Sequence, residues 1–322
     1  MMWDSVVLLF PAVIAAAAAS LAYRKRRSEN AAVAIGAVVA FAVAYATLFV
    51  AGHASTALLS GAIAVFVALS AFFYLDDNTL FYPLVIIGFA YLGLMILLFG
   101  VAASAASFAA ACGIGLMAGL ESRVYGFRGK KPQKNGRNKL EIKRDVVQVA
   151  LGIIVIMVFL AGGRVYGILA VAGLALLGYL FNSAFMPSDN AVGRFARSFE
   201  RKRAVSGEGA LFMAAGSMLI LGLVPSVNYA VFGLSAIFFA DSAATIIGVI
   251  AGRKKLPHNS RKSFAGTLSY FIVLGVIGIP LIGLYAILVS IVLAVVESLP
   301  VALDDNASTS IAFVILSKLL LI

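Results

Sequence analysis

Apolar runs follow one another along this chain with almost no charge inside them; between Asp77 and Glu121 no acidic or basic residue occurs. About 20 such residues suffice to cross the hydrocarbon core of a bilayer as an α-helix. In lipid the backbone must satisfy its own N–H and C=O groups, so continuous runs fold as helices. The strict alternation that a transmembrane β-barrel needs is absent. Composition agrees: 62% of the 322 residues are apolar and 12% are charged, against about 45–50% and about 25% in globular domains. The mean hydropathy is +1.05. A soluble globular domain, a disordered chain and a secreted disulfide scaffold are thereby excluded. Cys112 is the single cysteine, which removes intrachain disulfides and cysteine metal sites. It lies in an Ala/Gly-rich run and is read as packed there.

The runs predict an all-α, polytopic transmembrane bundle of about twelve spans. They fall near 4–22, 31–51, 56–74, 80–99, 101–120, 146–162, 165–185, 210–224, 229–250, 264–280, 282–298 and 308–322. With 25 Lys and Arg against 14 Asp and Glu, the net charge is +11. The cations cluster in four stretches, Arg24 to Arg27, Arg123 to Arg144, Arg194 to Arg203 and Arg253 to Lys262; only Arg164 and Lys318 lie elsewhere. Basic loops stay in the cytoplasm. An N-terminus outside puts all four stretches inside, together with Asp76, Asp77 and the 304–306 segment. The charge is therefore read as topology, with no nucleic-acid partner. The first run has its charges after it, as a retained reversed anchor does and a cleaved signal peptide does not. The expected location is the cell membrane of a prokaryote or the endoplasmic-reticulum membrane of a eukaryote.

Residues 1–120 carry few polar groups inside their runs and read as an N-terminal transmembrane extension. His53 there has no second ligand near it and is read as a bystander. Residues 121–322 differ, because basic loops alternate with runs that contain acids. This half is expected to be the catalytic domain. Asp241 sits in Ala240-Asp241-Ser242-Ala243-Ala244-Thr245, deep in an apolar run, and an intramembrane acid is a functional candidate by default. An acid paired with a base for helix association is the alternative. On a helix Asp241, Thr245, Gly248 and Gly252 share one stripe, and Gly248-x-x-x-Gly252 favours close helix packing.

Three further constellations surround this acid in the sequence. The stretch Arg253-Lys254-Lys255…His258…Arg261-Lys262-Ser263…Gly266-Thr267 offers five cations before a helix start. Free N–H groups and a positive dipole end bind anions there. Lys262 adds a point charge, and Ser263 is either an N-cap or an oxygen ligand; an ordinary basic loop with a Ser cap is the plainer reading. His258 is read as incidental. Glu297, Asp304, Asp305 and Asn306 cluster around Pro300 at a helix end. Their oxygens suit Mg²⁺, which takes one or two carboxylates plus substrate phosphates; a polar turn is the alternative. Glu200 and Glu208 lie among Arg201, Lys202 and Arg203, either as a salt-bridged surface or as part of a nucleotide site. Cations for phosphates, oxygens for a metal and an acid at membrane depth together suit phosphoryl transfer to a lipid-soluble acceptor, which needs chiefly positioning and charge neutralisation.

The ordered set Asp241-x-x-Ala244…Gly248…Gly252-Arg253-Lys254…Arg261-Lys262-Ser263-x-x-Gly266-Thr267, then Glu297-x-x-Pro300…Asp304-Asp305-Asn306, resembles the polyprenol kinase family over about residues 140–322. That family contains dolichol kinases and phytol kinases, multi-span membrane proteins that use CTP and a divalent cation to phosphorylate an isoprenoid alcohol. The segment ending in Glu208-Gly209 resembles the stretch preceding the family's core. The chain departs from the pattern at Ala240, where the family has Gly. It departs again after Glu141 and Arg144, where Asp145 replaces a Lys and Gln148 a His. The resemblance implies a CTP-dependent kinase making dolichyl or another polyprenyl phosphate, with Asp241 and Lys262 catalytic. It implies nucleotide binding by Arg144, Glu208, Arg253, Lys254, Arg261, Lys262, Ser263 and Gly266. Mg²⁺ would be served by Asp241, Glu297, Asp304, Asp305 and Asn306. Phytol, geranylgeraniol and diacylglycerol are alternative acceptors. An ion-coupled secondary transporter using Asp241 and Glu297 is the competing class; a phosphatidate cytidylyltransferase is disfavoured by the absence of its Pro-Gly-His-Gly-Gly signature.

Overall fold

The computed structural model describes residues 29–50, 53–74, 81–127, 137–185, 207–301 and 304–319. The expected span 4–22, the stretches Arg24 to Arg27 and Arg194 to Arg203, and the acids Asp76 and Asp77 lie outside the described residues. Among the described residues no strand forms, and the β-bridge found there pairs Lys255 with Ser263. Six helices there are long and apolar enough to cross a membrane, and Gly36–Phe49, Arg164–Gly178, Gly209–Leu223 and Tyr285–Ser298 are shorter apolar helices. Large side chains such as Ile86, Leu97 and Val276 point outward, an arrangement suited to lipid and costly in water. The chain divides into two compact units, 1–131 and 132–322.

In the first unit, α1 (Glu29–Val50), α2 (Ala54–Tyr74), α3 (Phe81–Phe99) and α4 (Val101–Phe127) follow one another closely. Helix α2 is central and packs against the other three. Gly115 and Gly119 on α4 let its backbone approach that of α2 at Ala64 and Ala68, where a Cβ would collide with a carbonyl oxygen. Small residues four apart give two membrane helices this close contact, and dispersion replaces the hydrophobic effect as the attraction. Buried hydroxyls add a cross-link, Thr56 Oγ1 to Ser107 Oγ at 2.8 Å.

The second unit comprises α5 (Arg137–Gly162), α6 (Arg164–Phe185), α7 (Glu208–Leu223), α8 (Val227–Ile250), α9 (Phe264–Ile282), α10 (Tyr285–Ser298) and α11 (Asp305–Leu319). Helix α8 packs against α5, α7, α9 and α11. It is not uniform: α-helical Val227–Ser235 and Asp241–Ile250 flank a π-helical turn at Ala236–Ala240. Close packing is again bought with missing Cβ atoms. Gly233 meets the Phe313 ring of α11, and Gly278 of α9 meets Phe232 and Ala286. Arg164, one of the two cations outside the basic stretches, reaches the end of α7. Its guanidinium donates to the carbonyls of Leu221 at 2.5 Å and of Val224 and Pro225 at 2.7 Å each. Those are helix-end carbonyls that intrahelical bonding leaves over.

Candidate active site

The loop between α8 and α9 folds tightly on itself. Leu256 N–H donates to Lys262 O at 3.1 Å, Phe264 N–H to Lys254 O at 3.1 Å, and Lys262 N–H to Asn259 O at 3.1 Å. Its tip is fastened to the end of α10, where Asn259 Nδ2 donates to Ser298 O at 3.0 Å and His258 Nε2 lies 3.1 Å from Ser298 Oγ. His258 thus anchors the loop. Ser263 closes it as the N-cap of α9, its Oγ accepting from Gly266 N–H at 3.2 Å. Gly248, Gly252 and Gly266 surround that hydroxyl, and a Cβ on Gly266 would stand 2.7 Å from Ala244 O. The glycines set how near α9 begins to the end of α8, as the sequence spacing suggests.

This closure directs Lys262 inward. Its Nζ pairs with Glu297 Oε1 and, at 2.7 Å, with Asp305 Oδ2. Glu297 is 2% exposed, and its second oxygen, Oε2, is buried without a hydrogen-bond partner. Burial works to discharge the Lys262 ammonium, but Glu297, Asp305 and Asp241 outweigh it and hold the group charged above the ordinary lysine range. Tyr270, completely buried one helical face along α9, lies in the field of the same three carboxylates with Thr309 beside it. A cation, three carboxylates and a phenol from α8, α9, α10, α11 and the loop therefore share one site.

Asp241 reaches this site from α8, on the half-turn following the π-helical segment. The π turn makes Asp241 N–H bond five residues back, to Ala236 O. The next carbonyl, Ile237 O, accepts a hydrogen bond from Gln148 Nε2 of α5 at 2.8 Å, and the same nitrogen lies 3.3 Å from Asp241 Oδ2. Nearby, Ser242 Oγ donates to Phe238 O at 2.8 Å.

The structure brings Asp241, Lys262, Glu297 and Asp305 together, with Ser263 and Gly266 immediately behind Lys262. The other expected residues are placed differently. Arg253, Lys254 and Arg261 are exposed on the loop, with Lys254 Nζ over the Phe264 ring at 5.2 Å from its centroid. Asp304 Oδ1 accepts from Asn306 N–H at 2.9 Å at the start of α11. Arg144 lies against Gly209, its Nη2 2.8 Å from where a Cβ there would stand; Glu208 opens α7 beside it. Asp241 thus lies in the middle of α8, while Glu297, Asp304, Asp305 and Asn306 lie at the end of α10 and the start of α11, and among the described residues no three His, Cys, Asp or Glu side chains form a metal-holding group. Sequence reading missed Tyr270, whose position seven after Ser263 on the Thr267 face was the available signal. It also noted Gln148 without foreseeing its contact.

No family model and no solved structure matches the chain. Over 97 residues it is 38% identical to a protein named phytol kinase 1, chloroplastic, of Arabidopsis thaliana, which covers 24% of this chain and 32% of that one. Over 102 residues it is 35% identical to an uncharacterized protein of Methanocaldococcus jannaschii, covering 31% of this chain and 52% of that one. The chain thus spans about half the length of one relative and about a third of the other. At this level the similarity is to a lipid-kinase-like protein over part of the chain.

Proposed function

We propose that this chain is a membrane-embedded kinase that transfers the γ-phosphoryl group of CTP to an isoprenoid alcohol, with dolichol, phytol and geranylgeraniol as the acceptor class. The observation that carries the reading is the charged Lys262 paired with Glu297 and Asp305 at helix ends and within electrostatic reach of Asp241 in the middle of α8. The partial identity to a protein named as a phytol kinase supports the same class of reaction. Residues 132–322 carry the chemistry and residues 1–131 are an accessory unit. The proposed topology has about twelve spans, with the N-terminus outside and the basic loops cytoplasmic.

In this reading Lys262 exchanges a carboxylate partner for phosphate oxygens when nucleotide arrives. Arg253, Lys254 and Arg261, exposed at the same loop, attract the anion. The N-terminus of α9 adds the positive end of its helix dipole. A divalent cation would be held by Glu297 and Asp305; the fit rests on oxygen-only donors and on the unpartnered, buried Glu297 Oε2, and Mg²⁺ asks for one or two carboxylates when phosphates supply the rest. Such an ion, when bound, would neutralise phosphate charge. Asp241, in the middle of α8, lies deeper along its helix than Glu297 does on α10. It stands where the hydroxyl of a lipid entering sideways would arrive, and it takes that proton as the oxygen attacks the γ-phosphorus and CDP leaves.

The test is nucleotide binding. Millimolar CTP with Mg²⁺ is expected to raise the melting midpoint of the purified protein, since a ligand of the folded state stabilises it by mass action. The Lys262→Met/Glu297→Gln double variant is expected to show no such rise. An equal rise in both would remove Lys262 from the nucleotide site.

A further inference from the structure

We propose that Gln148 is a positioning residue that fixes the aim of the Asp241 carboxylate; the inference rests on the reading of Asp241 as a participant in phosphoryl transfer. Three observations meet at this point. First, the π turn at Ala236–Ala240 shifts the backbone bonding of α8 by one residue where Asp241 begins. Such turns are rare inside α-helices and frequently lie at functional sites. Second, a carbonyl within the shifted segment, Ile237 O, is taken by a side chain of another helix, Gln148 Nε2, at 2.8 Å. Third, that nitrogen is also 3.3 Å from Asp241 Oδ2. A primary amide has two N–H groups, so one nitrogen serves both acceptors. Gln148 is 9% exposed, so neither bond competes with bulk water.

The packing around this bridge is close. Gly152, one turn after Gln148 on α5, faces Phe238 of the π turn so closely that a Cβ would overlap it, at 2.6 Å from Cγ. Helix α5 therefore lies directly on the widened turn, with Gln148 as its polar contact and Gly152 as its apolar one. Asp241 lies within electrostatic reach of Lys262, Glu297 and Tyr270. Lys262 alone would draw the Asp241 carboxylate into the ion cluster. The Gln148 amide, carried by α5, gives Asp241 Oδ2 a donor that does not belong to that cluster. A backbone carbonyl and a carboxylate are both acceptors, and the bridging donor keeps them from opposing each other across the turn.

The experiment is steady-state label transfer from CTP to a lipid alcohol by the full-length protein in detergent, with wild type, Asp241→Asn and three variants of Gln148. Gln148→Met has the same length and no donor; it is expected to lower kcat by about 10- to 100-fold, the effect of a misaimed reacting group, with KM for nucleotide and for lipid unchanged within about twofold. Gln148→His keeps a ring N–H and is expected to recover most of the kcat. If Gln148→Met does not fold, Gln148→Asn replaces it: the amide is kept, a methylene short of Asp241, and the same kcat loss is expected. A wild-type kcat in Gln148→Met or Gln148→Asn overturns the proposal while leaving the kinase reading in place. So does a loss of folded yield with unchanged kcat per folded molecule, which is what a purely structural residue gives. A wild type that labels no lipid alcohol overturns the kinase reading, and the proposal with it.

Discussion

Lys262 is paired with Glu297, a carboxylate that is almost wholly buried. Removing Lys262 leaves a carboxylate that is 2% exposed without its counter-charge, a change that costs about 3–5 kcal/mol in buried pairs. Lys262→Met is thus expected to lower the unfolding free energy by an amount of that order, read by thermal or denaturant melting. Lys262→Met/Glu297→Gln is expected to regain most of it without regaining activity, which separates the residue's contribution to folding from its contribution to chemistry. Asp241→Asn is expected to lower kcat by about 10²-fold or more, as loss of a general base does, with melting close to wild type. The carboxylates were visible in the sequence as acids in or beside apolar runs, where ionisable groups are too costly to be incidental. Their mutual arrangement was not. Nothing in the order of residues says that Asp304 turns to the Asn306 N–H while Asp305 turns to Lys262, because neighbours on a helix start point about 100° apart.

At the scale of elements, the apolar runs located the helices closely: 80–99 is Phe81–Phe99, 165–185 is Arg164–Phe185 and 264–280 is Phe264–Ile282. They were legible because a lipid-facing backbone has no other partner for its polar groups, so run length becomes helix length. The π turn at Ala236–Ala240 was not legible, since Ala-Ile-Phe-Phe-Ala is as apolar as the α-helical turns before it. Its partners are tertiary, namely Gln148 on its Ile237 carbonyl and Gly152 against Phe238. Gly152→Val is accordingly expected to destabilise the protein by about 1–3 kcal/mol through overpacking and to lower activity through the same turn. Ser263→Ala, which removes the cap of α9, is expected to cost about 1 kcal/mol. Both are read by melting midpoints, and a neutral Gly152→Val would contradict the close approach of α5 to α8.

For the molecule as a whole, the 12% charged composition and the position of its cations carried the membrane reading, while the assembly of a site from five segments of 132–322 came only from tertiary structure. The contact between Lys262 and Asp305 puts the basic loop and the start of α11 on the same side of any membrane that the helices cross. In a Cys112→Ala background, Lys255→Cys and Asp305→Cys are both expected to react with an impermeant maleimide only after the cytoplasmic face is opened. Labelling of either one in intact cells would contradict the proposed orientation. The most direct measurement of the central claim is phosphoryl transfer itself. Purified full-length protein with Mg²⁺ receives γ-labelled CTP or ATP and, separately, dolichol, phytol, geranylgeraniol or diacylglycerol. The account predicts label in an isoprenoid alcohol, from CTP in preference to ATP, and none with Asp241→Asn. Folded wild-type protein that labels none of the four lipids from either nucleotide would contradict it.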